Sequence, residues 1–180
     1  MAVQMGDSGF KYGLMTRLLH WAMVALLVWQ FAGMGVKLIV GKAPITAFWV
    51  GTHKSIGVAL LILLILRAGW GLYNLKVRPA HGGGFWGRAA LTGHLVLYAL
   101  MLIVPASALL RQYGSGKPMD LFGLPFIAGS GVETAWMTAP ANAFHGLAAW
   151  VLLAAIAGHV LMVLVHRFIW KDDTAARMMG

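Results

Sequence analysis

The chain has 180 residues, 60% of them hydrophobic and only 11% charged, with a mean hydropathy of +0.78. A soluble domain carries about a quarter charged residues, so the composition excludes one and describes an integral membrane protein of a single bundle in contact with lipid. The net charge of +9 does not point to nucleic acid, because nearly all Lys and Arg lie between or just beyond apolar runs, and the absence of cysteine leaves His or Met to hold any redox cofactor.

A polar segment, residues 1–13, leads into a first apolar run from about Leu14 to Val40, which lacks a small-residue cleavage pattern and is expected to be a retained helix. A second run spans about Phe48 to Leu72, with Arg67 near its exit, and a loop with the triplet Gly82, Gly83, Gly84 follows. The third run, about Ala89 to Leu110, holds Pro105, where a kink is expected. The long connection from Arg111 to Asn142 leaves room for a short surface helix. The fourth run, about Ala143 to Trp170, ends in a charged tail. The expected fold is all-α: a four-helix transmembrane bundle in one domain. Nine of the fourteen basic residues fall on the side of the termini and the second loop, so both termini are expected in the cytoplasm.

The fourth run carries His145, His159 and His166 within about 60° on one helix face, and a rise of about 1.5 Å per residue separates the first two by about 21 Å. An ionisable ring inside hydrocarbon is costly without a partner, and neutral imidazole is a good iron ligand. With four crossings, His53 and His145 match in depth near the outer surface, while His20, His94, His159 and His166 compete near the inner one. Two bis-histidine haem irons bridged from the fourth helix use four of these without strain, His53 with His145 and His20 with His159. Pairing His145 with His166 instead spans about 31 Å and pushes the inner haem out of the hydrocarbon. His94 is read as a partner for a haem propionate or a quinone head group, His166 as interfacial and His81 as a solvated loop residue. Arg17, Lys54 and Arg67 stand where a propionate needs neutralising, although interface anchoring explains them equally. The eight Trp and eleven Met read as interface belt and packing.

Thr16-Arg17-Leu18-Leu19-His20-Trp21, His53-Lys54-Ser55-Ile56-Gly57, Gly93-His94 and the close Trp170-Lys171-Asp172-Asp173-Thr174 with Arg177-Met178-Met179 resemble the small bacterial cytochrome b561 family, over essentially the whole chain. The resemblance implies a multi-pass dihaem b-type cytochrome of the bacterial inner membrane. It implies His20 and His159 as axial ligands of a cytoplasmic-side haem b, and His53 and His145 of a periplasmic-side one. It also implies electron exchange with ubiquinone and, as an oxidoreductase activity, oxidation of superoxide at the periplasmic face. An outer rim of Lys42, Lys54, Arg111 and Lys117 suits an anion; the sequence assigns no catalytic residue. Two other readings stay open at this point: an electron-relay cytochrome subunit of a partner dehydrogenase or hydrogenase, and a haem-free, histidine-lined transporter of metal ions or protons.

Overall fold

The computed structural model describes residues 4–80 and 82–179; His81 lies outside them. Four long helices dominate: α1 Leu14–Val40, α2 Pro44–Tyr73, α3 Gly84–Gly114 and α4 Ala135–Leu164, the last running on as a π-helical turn, Val165–Trp170. Each is long and apolar enough to cross a membrane. With 27 to 31 residues apiece, they exceed the roughly 30 Å of hydrocarbon at about 1.5 Å per residue, so their ends reach into the polar interface. A helix satisfies its own backbone groups, which is why apolar runs of this length take that form in lipid. A small hairpin, β1 Met119–Leu121 and β2 Leu124–Ile127, sits at one end of the bundle, and the termini, with a short α5, Ala176–Met179, sit at the other.

Three helices start earlier than the apolar runs predict. α2 begins at Pro44 rather than 48, because proline fits the first helical position, where the missing N–H has no partner to lose. The Thr46 hydroxyl secures that start by accepting from the Ala43 N–H at 2.9 Å and donating to its carbonyl at 2.7 Å. α3 begins at Gly84 rather than 89, its first turn held by a stack in which Phe85 meets Trp86 and Trp86 meets Trp170, each at 5.2 Å between ring centroids. α4 begins at Ala135 rather than 143, with Pro140 inside it. The connection after α3 forms the β-hairpin, not a surface helix. Phe122 and Gly123 both have positive φ, 51° and 84°, the geometry of a two-residue turn that matches strand twist. The Phe122 N–H docks this turn on α2 by donating to the buried Ser55 hydroxyl at 3.1 Å.

The helices pack as two close pairs, α1 with α2 and α3 with α4; α2 and α3 approach less, and α4 makes hardly any close backbone approach to α1 or α2. Met23 of α1 packs on Leu60 and Leu64 of α2, and Leu97 and Val104 of α3 pack on Leu152 of α4. Gly33 lets the first pair close, since a Cβ there would lie 2.8 Å from the Trp49 ring. Most other apolar side chains face outward, as a lipid solvent requires; Ile39 and Leu72 are 86% and 70% exposed.

At the termini end, residues 4–13 fold back over α1 and α2 around the buried Asp7 carboxylate. Its Oδ1 accepts from the Gly13 N–H at 2.9 Å and from the Thr16 hydroxyl at 2.6 Å, while Arg78 Nε stands 4.0 Å from Oδ2. The Asp7 N–H donates to Asn74 Oδ1, and Trp70 Nε1 donates to the Thr16 hydroxyl. The Tyr12 N–H reaches the Arg177 carbonyl, and Arg17 donates to the Met179 carbonyl at 3.3 Å.

Candidate cofactor sites between the helix pairs

The seam where backbone packing is sparse, between α4 and the α1–α2 pair, is where imidazoles meet. Toward the hairpin end His53 of α2 faces His145 of α4, with ring centroids 6.3 Å apart and planes at 82°. Toward the termini end His20 of α1 faces His159 of α4 at 6.5 Å and 75°. An imidazole nitrogen binds a metal at about 2.0–2.1 Å and its ring centre lies about 1.1 Å behind, so two rings on opposite sides of one ion have centroids roughly 6.2 Å apart. Both pairs match that spacing. His94 of α3 stands 5.3 Å from His159, about 1 Å too close to share an ion with it in this way. Among the described residues no group of three or more His, Cys, Asp or Glu side chains is placed to hold a metal ion. Two histidines suffice where the metal brings its other ligands with it, as the iron of a haem does, so the donor set fits haem.

The environments of the two pairs differ. At the hairpin-end pair, His145 Nδ1 donates to the Val104 carbonyl of α3 at 3.2 Å. A carbonyl only accepts, so the ring proton sits on Nδ1 and the Nε2 lone pair is left for a metal, the usual arrangement around a ligating histidine. Gln30 donates to the His53 carbonyl at 3.0 Å, which fixes α2 against α1 at that level. The charges of Lys37 and Arg111 act on His53, and that of Arg111 on His145. Lys54 donates to Gln112 Oε1 at 2.7 Å.

The termini-end pair lies in a polar cluster drawn from all four helices. Arg67 Nη1 of α2 lies 2.6 Å from His20 Nδ1, and its Cζ lies 5.9 Å from the centroid of the Tyr98 ring of α3. His94 Nδ1 donates to the Ala90 carbonyl one turn back at 2.8 Å. Arg17 is engaged instead with the C-terminal segment, donating to the Met179 carbonyl. His166 lies beyond it in the π-helical turn, donating to Asp172 Oδ2 at 2.6 Å with its ring centroid 4.7 Å from that of Trp170. Burial alone would push the Asp172 carboxyl up, but hydrogen bonds from the Thr174 N–H and from His166 bring it down to about 2.

Sequence reasoning had no place for Val104, Gln30 or Tyr98. Only Tyr98 left a signal, falling four residues after His94 on the same helix face.

Residues 11–180 match the protein family described as prokaryotic cytochrome b561. The chain is 30% identical over 179 residues to "Cytochrome b561 homolog 2" of Escherichia coli (strain K12), covering 94% of this chain and 92% of that protein. It is 28% identical over 178 residues to "Probable superoxide oxidase CybB" of Yersinia pestis, covering 94% and 96%.

Proposed function

The chain belongs to the prokaryotic cytochrome b561 family, multi-pass b-type cytochromes of the bacterial inner membrane that work in electron transfer, and from that premise we propose that it oxidises superoxide at the periplasmic face and reduces ubiquinone. In this reading the termini end is cytoplasmic, in line with the distribution of Lys and Arg. Two haem b groups are held, one between His53 and His145, the other between His20 and His159. The observation that carries the reading is the pair of imidazole separations, 6.3 and 6.5 Å, set fourteen residues apart along α4.

Bound there, the haems supply reversible one-electron chemistry. The protein contributes the rest. Neutral imidazoles on two facing helices would hold each group, and the Val104 carbonyl keeps the His145 proton on Nδ1, leaving Nε2 free to bind. Lys37 and Arg111 place positive charge beside the hairpin-end pair, where an anion arriving from the periplasm is favoured. The stoichiometry balances when two superoxide anions each give up one electron and leave as O2, and one quinone takes both electrons with two protons to become quinol. Superoxide as donor is supported by the printed name of the Yersinia pestis relative.

The test uses full-length protein purified in detergent from haem-replete cells. Two haems b per chain by pyridine haemochrome, together with quinone reduction driven by a superoxide generator and abolished by superoxide dismutase, is the expected result. A folded preparation without haem overturns the cytochrome assignment; two haems with quinone reduction only in the presence of a co-purified dehydrogenase overturns superoxide as donor.

A further inference from the structure

We propose that Arg67 sets the reduction potential of the site between His20 and His159, holding it higher than the histidines alone would. The proposal rests on the haem reading above.

Arg67 sits inside α2, within one of the four apolar spans. A cation at that place is costly, and where one persists it has a functional partner as a rule. Among the described residues the ion pairs are Arg78 with Asp7 and His166 with Asp172, so no carboxylate answers Arg67. It turns instead to the imidazole of His20 at 2.6 Å and the face of Tyr98. Its charge acts on His159 as well as on His20, so both rings of the pair feel it.

A guanidinium can only donate, so in this contact Nδ1 of His20 accepts, and the proton of the neutral ring belongs on Nε2. A metal bond at Nε2 needs that lone pair. With a metal held there the ring proton would belong on Nδ1 and the hydrogen bond from Arg67 would be lost, while the guanidinium, carried by α2, would still lie beside the pair. One-electron reduction of the site lowers its net charge by one and makes or breaks no bond; the electron comes from the donor proposed above and leaves to the quinone. A fixed cation in a medium of low dielectric stabilises the state with less positive charge, which is the reduced one.

The hairpin-end pair is built differently. Its cations, Lys37 and Arg111, come from the last turns of α1 and α3, which reach into the polar interface, where charges are screened more than inside a span. Its His145 gives its Nδ1 proton to a carbonyl, which enriches the ring and favours the oxidised state. Loss of Arg67 should thus move one potential and leave the other in place.

The experiment is a redox titration of purified full-length Arg67→Gln and Arg67→Lys, followed by the visible bands and repeated with His145→Ala added so that only the termini-end haem remains. In Arg67→Gln two haems per chain are expected, with one midpoint lowered by about tenfold or more in the ferrous–ferric equilibrium, which for one electron is about 59 mV per factor of ten. Arg67→Lys, which keeps the charge, is expected between Gln and wild type, and the double variant should show the same fall. Two haems with both midpoints unmoved, or both moved equally, overturn the proposal while leaving the cytochrome reading intact. Loss of one haem in Arg67→Gln and Arg67→Lys alike also overturns it, since Arg67 would then hold the cofactor through its own contacts rather than tune it by its charge. A wild-type chain with no haem removes the reading on which the proposal stands.

Discussion

Replacing His94 by alanine separates a ligand from a neighbour. Its ring centroid lies 5.3 Å from that of His159, against 6.5 Å for His20 and 6.3 Å for the other pair. To share an iron with His159, His94 would have to withdraw by about 1 Å, to the roughly 6.2 Å that two metal–nitrogen bonds demand. The two residues belong to α3 and α4, whose contact is filled by Leu97, Val104 and Leu152, at 9%, 9% and 4% exposure. Prising these helices apart would open voids in a packed layer, and cavities of that kind cost about 2–5 kcal/mol per large side chain. His20 needs no such movement. His94→Ala should therefore keep two haems per chain, while His20→Ala and His159→Ala each fall to one, measured by pyridine haemochrome against protein concentration. One haem in His94→Ala with two in His20→Ala would refute the reasoning.

Two further expectations concern the termini end. Asp7→Ala leaves the Gly13 N–H and the Thr16 hydroxyl without their buried acceptor and Arg78 without its carboxylate; a loss of about 1–3 kcal/mol, read as a lower unfolding midpoint in detergent, is expected, and an unchanged midpoint would contradict the network. The Asp172 carboxyl is depressed from an ordinary 3.8 to about 2. Its contribution to holding the tail is fully present above the ordinary value and is lost as pH falls through about 2. Exchange protection of the Thr174 amide, which donates to Asp172 Oδ1 at 2.9 Å, should decline between pH 4 and 2 in the wild type and show no such decline in Asp172→Asn.

Much of the architecture is legible in the amino-acid order because lipid leaves a chain few options: four apolar runs become four helices. Their ends are less legible. The first turns of α2, α3 and α4 lie in the interface, where Pro44, Arg88 and Pro140 break the apolar pattern without breaking the helix. The hairpin is hidden because its strands have three and four residues and its turn is Phe-Gly rather than the Asn-Gly that announces such turns. That His53 faces His145 follows from depth, since helix rise converts position in sequence to height in a membrane, whereas at the inner level depth leaves His20 and His94 both open as partners of His159. What depth cannot give is rotation about each helix axis. Hence the contact of Arg67 with His20, 47 residues away, and the gift of the His145 proton to Val104, 41 residues away, emerge only in three dimensions.

The seam between the two helix pairs also bears on how such a protein comes to exist in a cell. α1 with α2 and α3 with α4 approach closely along their backbones, whereas the sparser seam between α4 and the α1–α2 pair holds both facing imidazole pairs. With haem bound there as proposed, cofactor capture and final assembly would be one event. Newly inserted chains should accumulate only as fast as haem is supplied, and a chain starved of it should present an unclosed seam to the proteases of the membrane.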